Sequence, residues 1–296
     1  MGLALSDSLG RRLAGPRMFL PLIAFLIALI PVRAEAETHV VRSGAVTVEY
    51  FAAGRGPLLV LLPSMARGAE DFDEIVPALV ARGFRVVRPQ PRGAGRSSGP
   101  SGATLHDLAD DIALVIRKER RGPAIIVGHA YGNFVARMAA ADHPELVRGV
   151  IVAAGAAQSI PPELLAAVTG MSDMRRSQQE RLGLLRLAMF APGSDPSGWL
   201  NGWHPEAQRI ARAAIEATPR AAWWPAGRAP ILELQPAEDP FKPAAKRGEL
   251  AAELGAARVT AVLIPNASHA LFPEQPEAVA EAIAHWARSL PRTARR

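Results

Sequence analysis

Ile126-Val127-Gly128-His129-Ala130-Tyr131-Gly132-Asn133-Phe134 runs from a β-branched segment through a glycine-flanked turn into a helical pattern. Its central five residues read G-x-A-x-G. In the related pattern G-x-S-x-G, a tight strand-to-helix turn lifts the middle side chain above the end of a strand, where a serine hydroxyl can attack a bound substrate. Gly128 and Gly132 keep that geometry open, because each lets backbone approach where a Cβ would clash. Ala130 occupies the raised position. A methyl group has no lone pair, so acylation of this side chain is excluded.

Outward from this turn, short apolar runs alternate with longer helical patterns, as in an α/β protein. Residues 40–42 and 45–51 read as an antiparallel hairpin around Ser43-Gly44. Residues 58–62, 84–88, 124–127, 149–153, 231–234 and 259–264 read as continuous buried strands, the composition of a mostly parallel sheet covered on both faces. Helices are expected at 71–81, 105–120, 131–142, 246–254 and 276–290. Within the second of these, Leu108, Ile112, Val115 and Ile116 form a one-sided apolar stripe. The expected architecture is α/β, with an eight-stranded sheet.

Residues 160–227 break the rhythm. They hold helical patterns at 182–190 and 206–217, and four of the five tryptophans: Trp199, Trp203, Trp223 and Trp224. This stretch reads as a helical cap inserted over the carboxyl end of the sheet, where open α/β folds bind ligands. The expected organisation is a signal peptide at 1–36, core at 38–159, cap at 160–227, core again at 228–290 and a basic tail at 291–296.

Arg11, Arg12 and Arg17 precede an apolar run at 18–30, and small residues follow around Ala34 and Ala36. This is the layout of a secretory signal. The run has about 13 residues, whereas a membrane span needs about 20. Cleavage, export to the periplasm or medium, and no stable membrane span in the mature chain are therefore expected. The formal net charge of +6 is spread along the sequence, without a basic stripe interleaved with aromatics, so nucleic acid is not an expected partner. The chain has no cysteine, which excludes disulfides, thiolate metal ligands and a thiol nucleophile.

Four segments together carry a family resemblance: Pro-Arg-Gly-Ala-Gly-Arg-Ser at 91–97, the turn at 128–132, Glu238-Asp239-Pro240 after a strand, and Asn266-Ala267-Ser268-His269 after the next. The chain resembles α/β-hydrolase-fold proteins of the small esterase, haloperoxidase and dehalogenase-like branch, over nearly all of residues 40–290. The resemblance implies that His269 is the catalytic base and Asp239 the acid that holds its imidazole tautomer, with Ala130 in the nucleophile position. Glu238 is the neighbouring alternative to Asp239. An oxyanion hole is implied at the backbone N–H groups of Tyr131 and Met65. Where the family commonly has His-Gly, this sequence has Pro63-Ser64-Met65.

Other polar residues have plainer readings. Ser64 sits where a displaced nucleophile would stand, but loop serines usually bond turns; Ser268, next to His269, is a weaker case. Asp71 or Asp73 suits a helix cap, and His129 suits packing under the turn. Asn266-Ala267-Ser268 fits a glycosylation sequon, a pattern informative only in a eukaryotic secretory setting. His106 and Asp110 share a helix face, with Asp107 and Asp111 alongside, but that helix also carries the apolar stripe, so its polar side reads as solvated rather than metal-binding. No metal or nucleotide motif appears, and no cofactor is expected.

The expected ligand is a small, fairly apolar molecule, with Ser64, Trp199, Trp203, Trp223 and Trp224 lining its pocket. An alanine engineered at position 130 is one explanation of the turn. A natural departure leaves two: an enzyme that uses His269 and Asp239 without a covalent intermediate, or a ligand-binding protein without catalysis.

Overall fold

A computed structural model describes residues 36–291; the expected signal segment, up to residue 35, and the tail from residue 292 lie outside them. The chain enters through β1 (Glu37–Ser43), β2 (Val46–Gly54) and β3 (Leu58–Leu62), then α1 (Val76–Ala81) and β4 (Arg85–Pro89). α2 (Leu105–Glu119), β5 (Ala124–His129), α3 (Gly132–Asp142) and β6 (Val147–Ala153) follow. Between β6 and the next strand lie α4 (Pro162–Ser172), α5 (Gln178–Ala188), α6 (Pro205–Glu216) and α7 (Arg220–Trp223). β7 (Ile231–Pro236), α8 (Glu249–Leu254), β8 (Val259–Ile264), α9 (Leu271–Glu274) and α10 (Pro276–Ser289) complete the fold.

The eight strands form one sheet in the order β1-β2-β4-β3-β5-β6-β7-β8. β2 runs antiparallel to both β1 and β4, and every other pair is parallel. Successive side chains of a strand point to opposite faces. Leu58, Val60 and Leu62 accordingly pack with α2 and α3, whereas Leu59 and Leu61 pack with α1 and α10. Both faces are covered, which is why these strands read as unbroken apolar runs.

The expected helix at 71–81 is shorter in the structure. A 3-10 turn at Ala69–Phe72 precedes α1, which starts at Val76 with Pro77 in its first turn. Proline lacks the N–H that an interior helical residue donates, so it sets the start. Asp71 and Asp73 do not cap a helix through their side chains: Asp71 bonds Arg67, and Asp73 pairs with Arg88. Among the described residues no helix is long and apolar enough to cross a membrane.

The topology creates one crevice. The chain after β3 leads to α1 on one face, and the chain after β5 leads to α3 on the other, while β3 and β5 are hydrogen-bonded neighbours with Leu62 opposite Gly128. Loops that diverge from adjacent parallel strands leave a gap at their carboxyl ends. Pro63-Ser64-Met65 and His129-Ala130-Tyr131 border that gap.

Candidate active site

Ala130 follows β5 with φ +45°, in the left-handed region that L residues with a Cβ rarely occupy. The turn is held from below: Ala130 N–H donates to Ala153 O (2.9 Å) and Asn133 N–H to Ala130 O (3.2 Å). The flanking glycines are required by close approach. A Cβ on Gly128 would lie 2.3 Å from Asn133 Cα, and one on Gly132 would lie 2.4 Å from Leu62 O. The strained turn is intact with alanine at its apex.

His269 and Asp239, 30 residues apart, meet because β7 and β8 are parallel neighbours whose following loops leave the same sheet end. Glu238 N–H donates to Ala267 O (2.8 Å) and Ser268 Oγ to Glu238 O (3.2 Å), tying the two loops together. His269 Nδ1 lies 3.0 and 3.2 Å from the two Asp239 oxygens. Phe241 N–H also donates to Asp239 Oδ1 (2.9 Å), and the carboxylate is buried. A carboxylate only accepts, so Nδ1 carries the proton and Nε2 is the basic nitrogen of the neutral ring. It is Asp239, not Glu238, that holds the imidazole.

His129 lies beneath the turn, fully buried, with Nε2–H donating to His269 O (2.8 Å). Burial, reinforced by the nearby His269, pushes its pKa down to about 3, so the ring is neutral. Its role is to hold the His269 backbone. Glu274 performs a similar task from the other side. It accepts from Ser268 N–H (2.6 Å), Ala191 N–H (2.7 Å) and Ser194 Oγ–H (2.6 Å), and Ala270 N–H donates to Met189 O (2.8 Å).

A cavity of about 290 Å³ is lined by Ala130, Tyr131, Met65, Ser64 and His269 on the sheet side. The segment between β6 and β7 contributes Trp199 and Trp203 to its walls, together with Leu165, Val168, Met189 and Arg212. The N–H groups of Tyr131 and Met65 have no hydrogen-bond partner among the described residues. Two free donors beside an imidazole are the elements that stabilise a developing oxyanion. Ser64 is buried in the wall, its carbonyl accepting from Arg67 N–H (3.1 Å). An adjoining, mostly apolar hollow of about 60 Å³ shares Ser64, Arg67 and Tyr131.

Two of the expected pocket residues lie elsewhere. Trp223 is buried behind Phe134, with ring centroids 4.1 Å apart, and Trp224 packs under Arg137 and Arg220 at 4.3 and 3.7 Å. Both belong to the core around α3, because α7 is laid against that helix. In the sequence Arg67 stands in a charged run with Glu70, Asp71 and Asp73 and carries no further signal. Its buried guanidinium lies over the rings of Trp199 (4.4 Å) and Trp203 (4.7 Å) and bonds Asp71 through Nε (2.8 Å). Burial pushes the Asp71 carboxyl up to about 6 despite that partner. Arg212 had no sequence signal, since a single arginine on an amphipathic helix reads as solvated.

His106 pairs with Asp142, Asp110 with His143, and Asp111 is buried against Arg92. Asp107 forms a capping box with Thr104. Among the described residues no group of three or more His, Asp or Glu is placed to hold a metal ion.

The sequence profile of the Alpha/beta hydrolase family matches residues 59–282. A 2-(acetamidomethylene)succinate hydrolase of Mesorhizobium japonicum is 37% identical over 109 residues, which cover 36% of this chain and 39% of that protein. An AB hydrolase superfamily protein of Bacillus subtilis is 33% identical over 44% of this chain and 46% of its own length. The chain thus spans less than half the length of these two relatives. A putative non-heme bromoperoxidase of Mycobacterium tuberculosis is 27% identical over 77% of this chain and 89% of its own. Among solved structures, a putative lipase from Acinetobacter baumannii superposes with a TM-score of 0.69 at 18% identity, covering 86% of this chain and 91% of that one.

Proposed function

The chain belongs to the alpha/beta hydrolase family, and from that premise we propose that it is an exported enzyme acting on a small, mostly apolar substrate without a covalent intermediate. The observation that carries this reading is His269, paired with the buried Asp239 behind it, on the wall of the same cavity as the Ala130 methyl. Export is supported by the basic and apolar pattern of residues 11–36, and α4 to α6 are read as the cap over the cavity.

With no nucleophile at position 130, His269 Nε2 takes a proton from a water molecule, and the resulting hydroxide adds to a substrate carbonyl. The tetrahedral oxyanion is met by the Tyr131 and Met65 N–H groups. Its collapse breaks the bond to the leaving group, which receives the proton from the His269 imidazolium, while Asp239 stabilises the charged ring. Oxyanion stabilisation and binding alone sustain roughly 10³ to 10⁴ over the uncatalysed rate in a triad enzyme without its nucleophile. A positioned acid/base adds about 10² to 10⁴. The same pair is equally suited to abstracting a proton from an acidic carbon.

Ala130 itself favours a second reading, a ligand-binding protein of the same fold. The deciding experiment follows Trp199 and Trp203 fluorescence and substrate turnover in parallel across a small-molecule library. Slow turnover abolished by His269→Ala and Asp239→Asn supports the enzyme; saturable binding with no turnover above buffer supports the binding protein.

A further inference from the structure

The basic groups on the cavity wall are Arg67, Arg212 and His269, with the Tyr131 phenol beside them. Two have a buried acid behind them: Asp71 for Arg67, and Asp239 for His269. Arg212, on α6, has no carboxylate or carbonyl partner among the described residues, and no acidic residue lines the cavity. The rest of the wall is largely apolar and aromatic, apart from Ser64, Asn133 and Thr169. Several other arginines on the same segment are paired: Arg209 bonds Glu206 (2.9 Å), Arg181 bonds Met171 O (2.8 Å), and Arg220 reaches Glu253 (3.4 Å), while Arg186 does not line the cavity. Of the two arginines on the wall, Arg212 is the one exposed to solvent and the one with no acid paired to it among the described residues, so it stands at the open side of the cavity as a free cation.

We propose that the natural ligand is an organic carboxylate: an apolar body over Trp199 and Trp203, with its anionic end paired to Arg212 and its reactive bond toward His269. The proposal rests on the cavity being the reaction site and adds the chemical class of what enters it. An arginine fork pairs with a carboxylate through two parallel N–H donors, an interaction a neutral amide cannot reproduce. A wall otherwise largely apolar gives the ligand few alternative polar anchors, so the charge sets its orientation as well as its affinity.

The test is isothermal titration of the full chain at pH 8 and low salt with 3-phenylpropionate and its neutral isostere 3-phenylpropanamide. The carboxylate is expected to bind about tenfold more tightly. Arg212→Gln should remove that preference and leave amide binding unchanged, and Arg212→Lys should retain part of it. Equal affinity for acid and amide, or a preference that survives Arg212→Gln, overturns the proposal and leaves the proposed function standing. Failure of both probes to bind, with homologous acids and amides from two to eight carbons also silent, overturns this proposal together with the cavity as a site.

Discussion

Ala130 keeps a left-handed backbone with no catalytic atom to present, although that conformation costs an L residue roughly 1 to 2 kcal/mol. If the site is assembled for acyl transfer, Ala130→Ser should create or greatly raise p-nitrophenyl ester hydrolysis over a wild type that shows little. A folded but silent variant would mean that the loop Pro63-Ser64-Met65 does not support an oxyanion. Wild-type turnover lost on Ser64→Ala would instead identify a relocated nucleophile. At Gly132 the expectation concerns stability. A Cβ 2.4 Å from Leu62 O must push α3 away from β3, so Gly132→Ala should lower the unfolding free energy by roughly 3 kcal/mol in a denaturant titration. His129 contributes to the acid behaviour in the opposite sense to the raised Asp71 carboxyl. Its folded pKa, about 3, lies below the ordinary 6.5, so its contribution is complete above pH 6.5 and is lost as pH falls toward 3. The unfolded chain binds the extra proton in that window, giving a slope of up to roughly 1.4 kcal/mol per pH unit. His129→Gln, which retains a donor for His269 O, should flatten that part of the stability profile.

Between elements, the informative connection is the one Glu274 makes from α9. Its carboxylate joins the loop that carries His269 to the segment after α5, whose Met189 lines the cavity. Glu274→Gln replaces one acceptor oxygen by an NH₂ group facing a donor. It should cost about 1 to 3 kcal/mol of stability and, in the Ala130→Ser background, lower kcat more than it raises KM. Steady-state kinetics with a matched denaturation curve would check both, and an unchanged kcat would leave Glu274 a role in folding alone. At this scale the sequence was readable where periodicity was strong. All eight strands and, apart from the later start of α1, the five core helices stand within a few residues of their expected places, because β-branched runs and apolar stripes are local signals. α4, α7 and α9 were not foreseen. α7 is only Arg220–Trp223 and follows Pro219, too short for any period to register.

For the whole molecule, the expected export is decided by residues 1–36, and N-terminal sequencing of protein recovered from the producing cell should find a start near residues 34–37. A chain beginning at Met1 and retained in the cytoplasm would contradict it. The fold class, the turn at 128–132 and the chain order of Asp239 and His269 were set by sequence alone, since each depends on residue type at fixed spacing along the chain. Tertiary structure decided which aromatic and charged side chains face the cavity. Trp199 and Trp223 are equally apolar and lie in the same segment, yet one lines the site and the other fills the core, because the packing of α7 on α3 turns Trp223 inward. Arg67 and Arg212 part likewise through tertiary contacts: Arg67 is buried against Asp71 and two tryptophans, and Arg212 is exposed with no acid within reach among the described residues. Spacing along a chain specifies local conformation, but the direction a side chain takes in an inserted segment is fixed by contacts between residues far apart in sequence.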